Sequence, residues 1–128
     1  MRAIDTNVVV RYLTGDDPEQ AARARNVVET GNVFVSTTVL LECEWVLRSV
    51  YGLAAKDAAA ALRAFSGLPG VTVERPNLLV EALDRAEKGV DFADALHLGA
   101  AAHCETMLTF DRDFISSASG AAPQVTEP

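Results

Sequence analysis

Short apolar runs alternate with longer segments of helical character along the chain. The apolar runs predict strands at residues 3–5, 33–35, 71–73 and 106–109, with a further edge strand around Val125. The segments between them predict helices at residues 8–13, 18–30, 37–50, 55–65, 76–88 and 92–103. Strands that alternate with helices in this way form a parallel sheet covered by helices on both faces. The pattern therefore predicts an α/β fold with a short, mostly parallel central sheet.

Local start and stop signals support these boundaries. Asp17 precedes a proline and stands three residues before Gln20, which together make a strong helix start. Gly31 and Gly52 follow predicted helix ends, where glycine commonly closes the last turn. With 128 residues and no internal repeat or linker, residues 1–128 are expected to form one domain that ends in a polar tail from residue 116.

Composition and charge narrow the possible functions. The chain is 49% hydrophobic, enough for one core, but no apolar run is long enough to predict a membrane span. Eighteen acidic against eleven basic residues give a net charge of −7, which argues against nucleic-acid binding by broad charge attraction. It permits an acidic pocket in which cations lie between the protein and an anionic substrate.

The N-terminus and the cysteines predict a cytoplasmic protein. An aspartate at position 5 interrupts what would be the apolar part of a signal peptide. Cys43 and Cys104 are too few for a disulfide framework and both lie in apolar stretches. We therefore expect two reduced thiols with packing roles, as is usual in the cytosol.

Acidic residues lie near the carboxyl end of the predicted sheet, where parallel α/β folds bind their ligands. Asp5 ends the first strand, and its alternative role is a helix cap. Glu42 lies on the helix 37–50 among mostly apolar neighbours and has no basic partner. Glu44 has Arg48 four residues further on, so a surface ion pair explains it. Glu42 is therefore the better candidate for chemistry.

Two further pairs of acids stand at the last predicted helix and after the fourth strand. Asp91 is expected to cap the helix 92–103 and Asp94 to lie in its first turn, where the helix dipole alone would explain an acid. Asp94 leads into an apolar segment and is expected to point inward. Asp111 and Asp113 flank Arg112, so that one of them has capping or pairing as an alternative role.

Converging carboxylates predict a metal site. Two such charges about 4 Å apart repel by about 4 kcal/mol at an effective dielectric of 20, so the cluster must bind protons or a cation. Oxygen ligands favour Mg²⁺ or Mn²⁺, and an ion of this kind activates water and neutralises the phosphate in phosphodiester hydrolysis. Zinc is not expected, because His97 and His103 do not share a helix face and His103 and Cys104 should diverge. The motifs of P-loops, dinucleotide sites and nucleophile elbows are absent.

With these residues assembled, the sequence resembles the PIN-domain ribonucleases and, within them, the VapC-type toxins of bacterial toxin–antitoxin pairs. The resemblance rests on four segments that occur in the order of the family: 4–8 (IDTNV), 39–42 (VLLE), 91–96 (DFADAL) and 109–114 (TFDRDF). Together they span nearly the whole chain. The resemblance implies a single PIN-like domain.

The resemblance also implies roles for individual residues. Four positions match the acids that hold the metal in the family, the last of them being the more variable one: Asp5, Glu42, Asp94 and Asp111. Asp113 is a near alternative to Asp111. Asn7 and Thr109 match polar residues that orient the acids. The implied reaction is cleavage of RNA with Mg²⁺ or Mn²⁺ by an activated water, without a covalent intermediate.

Partners follow from the same resemblance. It implies an RNA substrate, a homodimer and a cognate VapB-type antitoxin whose C-terminal segment crosses the active groove, often with a basic side chain near the acids. The net charge of −7 suits such a partner. Contact with DNA is expected only indirectly, through the antitoxin, and no contact with a membrane is expected.

Two other hypotheses about the function stay open. A haloacid-dehalogenase-like phosphatase also begins with an Asp after its first strand, but that family has a second Asp where this chain has Asn7. It also requires a downstream lysine, and only Lys56 and Lys88 are present. The second alternative is a non-catalytic binding domain on the same fold, which a metal-dependent ribonuclease assay would distinguish.

Overall fold

The chain forms seven helices and five short strands, and every strand pairing is parallel. This confirms the predicted α/β class. A computed structural model describes the whole chain, Met1–Pro128. The chain divides into two compact units, Met1–Pro76 and Asn77–Pro128.

The first unit is built on a three-stranded parallel sheet in the order β1-β2-β3. Its elements, in chain order, are β1 (Arg2–Ala3), α1 (Thr6–Thr14), α2 (Pro18–Thr30), β2 (Val33–Val35), α3 (Thr37–Ser49), α4 (Ala55–Ser66) and β3 (Val71–Val73). Helix α1 packs against α2 and α3, α3 packs against α4, and α4 packs against β3. Fully buried side chains of the central strand and the helices form its core, among them Val33, Val35, Leu40, Leu47 and Phe65.

Caps explain why the helices of the first unit begin where they do. The Asp17 side chain accepts a hydrogen bond from the Gln20 amide at 3.1 Å at the start of α2, as predicted. Ser36 does the same for α3 by accepting from the Val39 amide at 3.2 Å. Each cap satisfies an amide that has no partner within its own helix.

The first strand differs from its prediction. Residues 3–5 were expected to form a buried strand, but β1 is Arg2–Ala3, and both of its residues are exposed. The strand lies at the edge of its sheet, paired only with β2 within this sheet. It ends early because Asp5 is already the N-cap of α1, so only Ile4 of the apolar run is buried.

The second unit combines helices with a two-stranded parallel sheet. Its elements are α5 (Pro76–Glu87), α6 (Phe92–Ala100), β4 (Thr106–Leu108), α7 (Arg112–Ser117) and β5 (Gln124–Thr126). The predicted edge strand around Val125 is present as β5, paired with β4. Its core includes the fully buried Leu83, Phe92 and Leu98. Helix α7 was not predicted, and α6 ends at Ala100 rather than near residue 103.

The early end of α6 changes the surroundings of one cysteine. Cys104 is exposed, whereas Cys43 is buried, so the expected packing role holds for Cys43 alone. The expected divergence of His103 and Cys104 is also wrong, because the His103 Nε2 and Cys104 Sγ atoms lie 3.6 Å apart. No helix in the chain has both the length and the apolar character that crossing a membrane requires.

Candidate metal-binding acids

Asp5 occupies the junction between β1 and α1. It is the N-cap of α1, and its Oδ1 atom accepts a hydrogen bond from the Thr6 amide at 2.7 Å. The capping role considered as an alternative is therefore real. It occupies one carboxylate oxygen and fixes the side chain, while the second oxygen accepts no hydrogen bond. Capping and metal binding are thus compatible for this residue.

Thr6 also holds the second candidate acid of this unit. Its hydroxyl donates a hydrogen bond to Oε1 of Glu42 across a separation of 36 residues. Thr6 is buried and Glu42 is exposed, so a fixed donor in the interior orients a carboxylate at the surface. One residue therefore positions both acids, through its amide and through its hydroxyl.

Sequence reasoning missed Thr6 and assigned the orienting role to its neighbour. Asn7 is exposed, and its side chain makes no hydrogen bond to either acid. Thr6 follows the capping acid directly and lies one turn before the buried Val9 and Val10. The signal that identifies Thr6 is its position: it carries a hydroxyl on the buried face of a helix, and that helix begins at a candidate metal ligand.

The buried thiol of Cys43 lies close to both acids of this unit. Burial and then the negative charge of Glu42 raise the pKa of the Cys43 thiol to about 12, and the charge of Asp5 adds to the effect. The thiol lies 3.9 Å from the Thr6 carbonyl oxygen. Both carboxylates therefore act on the same buried group, and the thiol stays protonated at neutral pH.

Glu44 corrects one expectation. Its pairing with Arg48 is confirmed, with Nε and Nη2 of the guanidinium donating to the two carboxylate oxygens at 2.6 and 2.9 Å. The pair is not a surface one, because Glu44 is only 2% exposed. Glu44 is thus a structural residue that is held inside the unit, whereas Glu42, two residues earlier on α3, faces solvent.

The acids of the second unit line an open cavity of about 740 Å³. Four of its eight lining residues are aspartates and none is basic; the aspartates are Asp91, Asp94, Asp111 and Asp113. Ser116 and Ser117 complete the polar part of its wall. A cavity with this lining repels anions by itself and attracts cations.

Asp91 caps helix α6, and Asp94 lies in the first turn of that helix, as predicted. The Asp91 side chain caps α6 by accepting from the Asp94 amide at 3.3 Å. Asp94 is half-buried and its carboxylate accepts no hydrogen bond. Burial raises the pKa of Asp94, the charges of Asp91 and Asp111 raise it further, and His97 opposes them. Its ionised form therefore lacks a compensating partner within this cavity.

Asp111 and Asp113, the two candidates for the fourth acid, have different surroundings in the structure. Asp111 caps α7, since its Oδ1 atom accepts from the amides of Asp113 and Phe114 at 2.9 and 3.2 Å. Thr109 supports it, because the Asp111 amide donates to the Thr109 hydroxyl oxygen at 3.0 Å. Arg112 does not pair with its neighbours but lies 3.6 Å from Glu127. Thr109 therefore contacts the backbone of the fourth acid, as expected, and of the two candidates it is Asp111 whose carboxylate is held by hydrogen bonds.

Three of the candidate acids share a hydrogen-bonding pattern that leaves one carboxylate oxygen available. Asp5, Glu42 and Asp111 each use one oxygen as an acceptor within the protein, which leaves the other oxygen without a hydrogen bond. The donors are all oxygen atoms, the type that Mg²⁺ and Mn²⁺ prefer. The structure contains no group of three or more His, Cys, Asp or Glu side chains that lie close enough together to hold a metal ion. The fit therefore rests on the chemistry of the donors.

Comparison with known protein families identifies the family of the chain. The family model described as PIN domain matches residues 3–119, most of the chain and parts of both units. The chain belongs to the PIN-domain family. No curated protein sequence matches it. PIN domains are generally nucleases and generally use divalent metal ions, so the acids described above lie in a protein of hydrolase type.

The hydroxyl of Thr6 is expected to matter for the activity of this PIN domain. Thr6→Val removes the donor to Glu42 and keeps the amide that binds Asp5. Loss of a group that orients a metal ligand typically costs about 10–100-fold in affinity or activity. Thr6→Ser retains the hydroxyl and should retain most of the rate. Nuclease rates of both variants at saturating Mn²⁺ would measure this, and equal rates would leave Thr6 with a packing role only.

Proposed function

We propose that this PIN-domain protein is a metal-dependent ribonuclease and acts as the toxin of a toxin–antitoxin pair. The observation that carries the nuclease part is the cavity of the second unit, lined by four aspartates and no basic residue, in a chain that belongs to a nuclease family. A pocket of this charge meets an anionic substrate only with cations in it. Metal dependence is therefore part of the proposal.

Four acids would hold Mg²⁺ or Mn²⁺: Asp5, Glu42, Asp94 and Asp111. When bound, the ion supplies Lewis-acid activation of water and neutralises charge on the phosphodiester. The protein orients three of these acids by Thr6 and by the first amides of α7. Asp94 keeps both oxygens free of hydrogen bonds and provides the negative charge that a cation would compensate. Thr109 supports Asp111 from its backbone side.

The toxin role rests on the resemblance of the four motif segments and on charge. With a net charge of −7, the protein suits a small partner that carries a basic segment, as an antitoxin would. In this proposal the protein is a cytoplasmic homodimer, RNA is its substrate, and DNA is contacted only through the antitoxin. Induced expression in a bacterium should arrest growth, and an Asp94→Asn chain should not.

A cleavage assay tests the nuclease activity. Single-stranded RNA labelled at its 5′ end should be cleaved in Mn²⁺ or Mg²⁺ and should stay intact in EDTA. Hydrolysis by an activated water, without attack by the ribose 2′-hydroxyl, leaves no cyclic phosphate on the products. Metal-independent cleavage, or no cleavage by a folded protein that binds RNA, would favour the non-catalytic binding domain instead.

Metal binding should also stabilise the protein. A ligand that binds only the folded state at about 100 times its Kd adds about 2.7 kcal/mol to the free energy of unfolding. Millimolar Mn²⁺ or Mg²⁺ is therefore expected to raise the Tm by several degrees. Asp5→Asn keeps a residue that caps helices well but removes a ligand charge, so the response should shrink or vanish. A Tm that ignores both ions would contradict the metal assignment.

A further inference from the structure

Two aromatic side chains stand out because they are exposed. The chain has eight aromatic residues, and six of them are buried or half-buried. The remaining two are Trp45, 57% exposed, and Phe110, 82% exposed. Burial of a large apolar side chain is worth about 1.5–3 kcal/mol, so exposure forgoes that stabilisation. Each of the two lies beside an acid assigned to the metal.

Trp45 shares the solvent face of α3 with Glu42. The exposed positions of this helix are Thr38, Glu42, Trp45 and Ser49, which follow helical spacing. Residues three apart on a helix are neighbours on its surface. Long helical side chains lean towards the N-terminus, and from Trp45 that direction leads to the turn that carries Glu42. The indole therefore offers a flat apolar surface next to a candidate ligand.

Phe110 precedes Asp111 in a segment that is held on both sides. The Asp111 amide donates to the Thr109 hydroxyl oxygen, and the Asp111 carboxylate accepts two amides of α7. These bonds fix the backbone on either side of Phe110. Its ring is therefore presented to solvent from an ordered segment beside the fourth acid.

The protein's own side chains attract phosphate weakly, which favours a further source of RNA affinity besides the bound cations. The net charge is −7 and nine of the eleven basic residues are arginines. At least four of these arginines lie within 4.0 Å of a carboxylate: Arg11, Arg23, Arg48 and Arg112. Stacking of a base on an aromatic ring contributes about 1–3 kcal/mol per base and requires no positive charge.

We propose that Trp45 and Phe110 are stacking platforms for unpaired bases of the RNA substrate. The inference rests on the proposed ribonuclease function and adds two residues that bind the bases of that substrate, one beside Glu42 and one beside Asp111. Bases inside a duplex have both faces covered by their neighbours, so they cannot stack on these rings. A partner protein that covers the same two rings is the competing explanation, and the experiments below separate it.

Kinetics with matched variants provide the first test. Trp45→Ala and Phe110→Ala should each raise KM for single-stranded RNA about 5- to 150-fold, the range that stacking of one base implies, with kcat little changed. Trp45→Phe and Phe110→Trp keep an aromatic face and should restore most of the affinity. Val80→Ala, at an exposed apolar position of α5, should leave KM unchanged. An unchanged KM in both alanine variants would overturn the proposal.

Fluorescence provides the second test, because Trp45 is the only tryptophan in the chain. Emission of the uncleaving Asp94→Asn protein in Mg²⁺ should be quenched saturably by single-stranded oligoadenylate, and far less by a duplex of the same length. Fluorescence anisotropy of labelled RNA gives an independent measure of binding. Saturated anisotropy without quenching would overturn the role of Trp45. So would a Trp45→Ala chain that changes oligomeric state but keeps its KM, since that identifies a protein interface.

The outcomes also separate this inference from the function on which it rests. Quenching by RNA without any cleavage by the wild-type chain would support stacking and contradict the ribonuclease proposal. Metal-dependent cleavage with an unchanged KM in the alanine variants would support the ribonuclease and contradict stacking.

Discussion

Asp94→Asn should reduce metal-dependent cleavage by at least about 100-fold, because loss of a direct ligand should cost no less than loss of a group that merely orients one. The same variant should melt at a higher temperature than the parent in metal-free buffer. Burial and the charges of Asp91 and Asp111 raise the pKa of Asp94, so the folded state disfavours its ionised form. A neutral amide removes that penalty. The Tm of the variant should then respond little to Mn²⁺.

The sign of this effect can be followed with pH. An acid whose pKa is raised on folding binds its proton more tightly in the folded state, so the metal-free parent gains stability from this group as pH falls through its folded pKa. Asp94→Asn lacks this contribution, so its advantage over the parent should be largest above the folded pKa, should shrink as pH falls below it, and should disappear only below the pKa that the group has in the unfolded chain. Thermal melts of both proteins across the acidic range measure the difference.

Asp91→Asn is the matched control. Asparagine caps helices about as well as aspartate, so α6 keeps its start and the stability should change little. Its charge also lines the cavity, and a moderate loss of rate is compatible with that position. Equal rates for the two variants would reduce Asp94 to a residue of the first helical turn and remove it from the metal site.

Elements with strong local signals were predicted with the bounds that the structure has. Helix α2 starts at Pro18 after its capping Asp17 and ends before Gly31, and β2 and β3 match their apolar runs residue for residue. Helix α7 was not predicted because six residues are too few to show a helical repeat of apolar positions. Its one start signal is Asp111, a residue that the motif also explains as a metal ligand. An element can be predicted when a cap, a stop residue and an apolar pattern all indicate the same bounds, and a short element offers too few of these signals.

The candidate acids could be chosen from sequence, and so could the contact of Thr109 with Asp111, but the support of Glu42 could not. A carboxylate at the carboxyl end of a strand is visible in the order of residues, as Asp5 was. The bond from Thr6 to Glu42 joins residues 36 positions apart, and no local pattern encodes it. The burial of Glu44 was missed for the same reason, because it depends on what packs against α3, whereas its pairing with Arg48 needs only helical spacing.

Glu42→Gln and Glu44→Gln are expected to have opposite effects, although the residues are two positions apart on α3. Glutamine at position 42 keeps an oxygen that can accept from the Thr6 hydroxyl, and the position is exposed, so the fold should be unaffected. The variant loses the negative charge that a divalent ion requires. Cleavage should therefore fall by at least about 100-fold at an unchanged Tm.

Glu44→Gln should instead lower stability and spare the chemistry. It replaces a buried carboxylate that binds Arg48 through both oxygens with an amide that has one acceptor. Hydrogen bonds to charged groups contribute about 1.5–3 kcal/mol, so a loss of that order in the free energy of unfolding is expected. The rate per folded molecule, measured well below the Tm with circular dichroism as the folding control, should match the parent. Two results would contradict this assignment: a Glu44→Gln protein that is fully folded but inactive, or a Glu42→Gln protein that cleaves at the parent's rate. Either would place the metal contact at Glu44, because only the substitution of a metal ligand should remove activity without lowering stability.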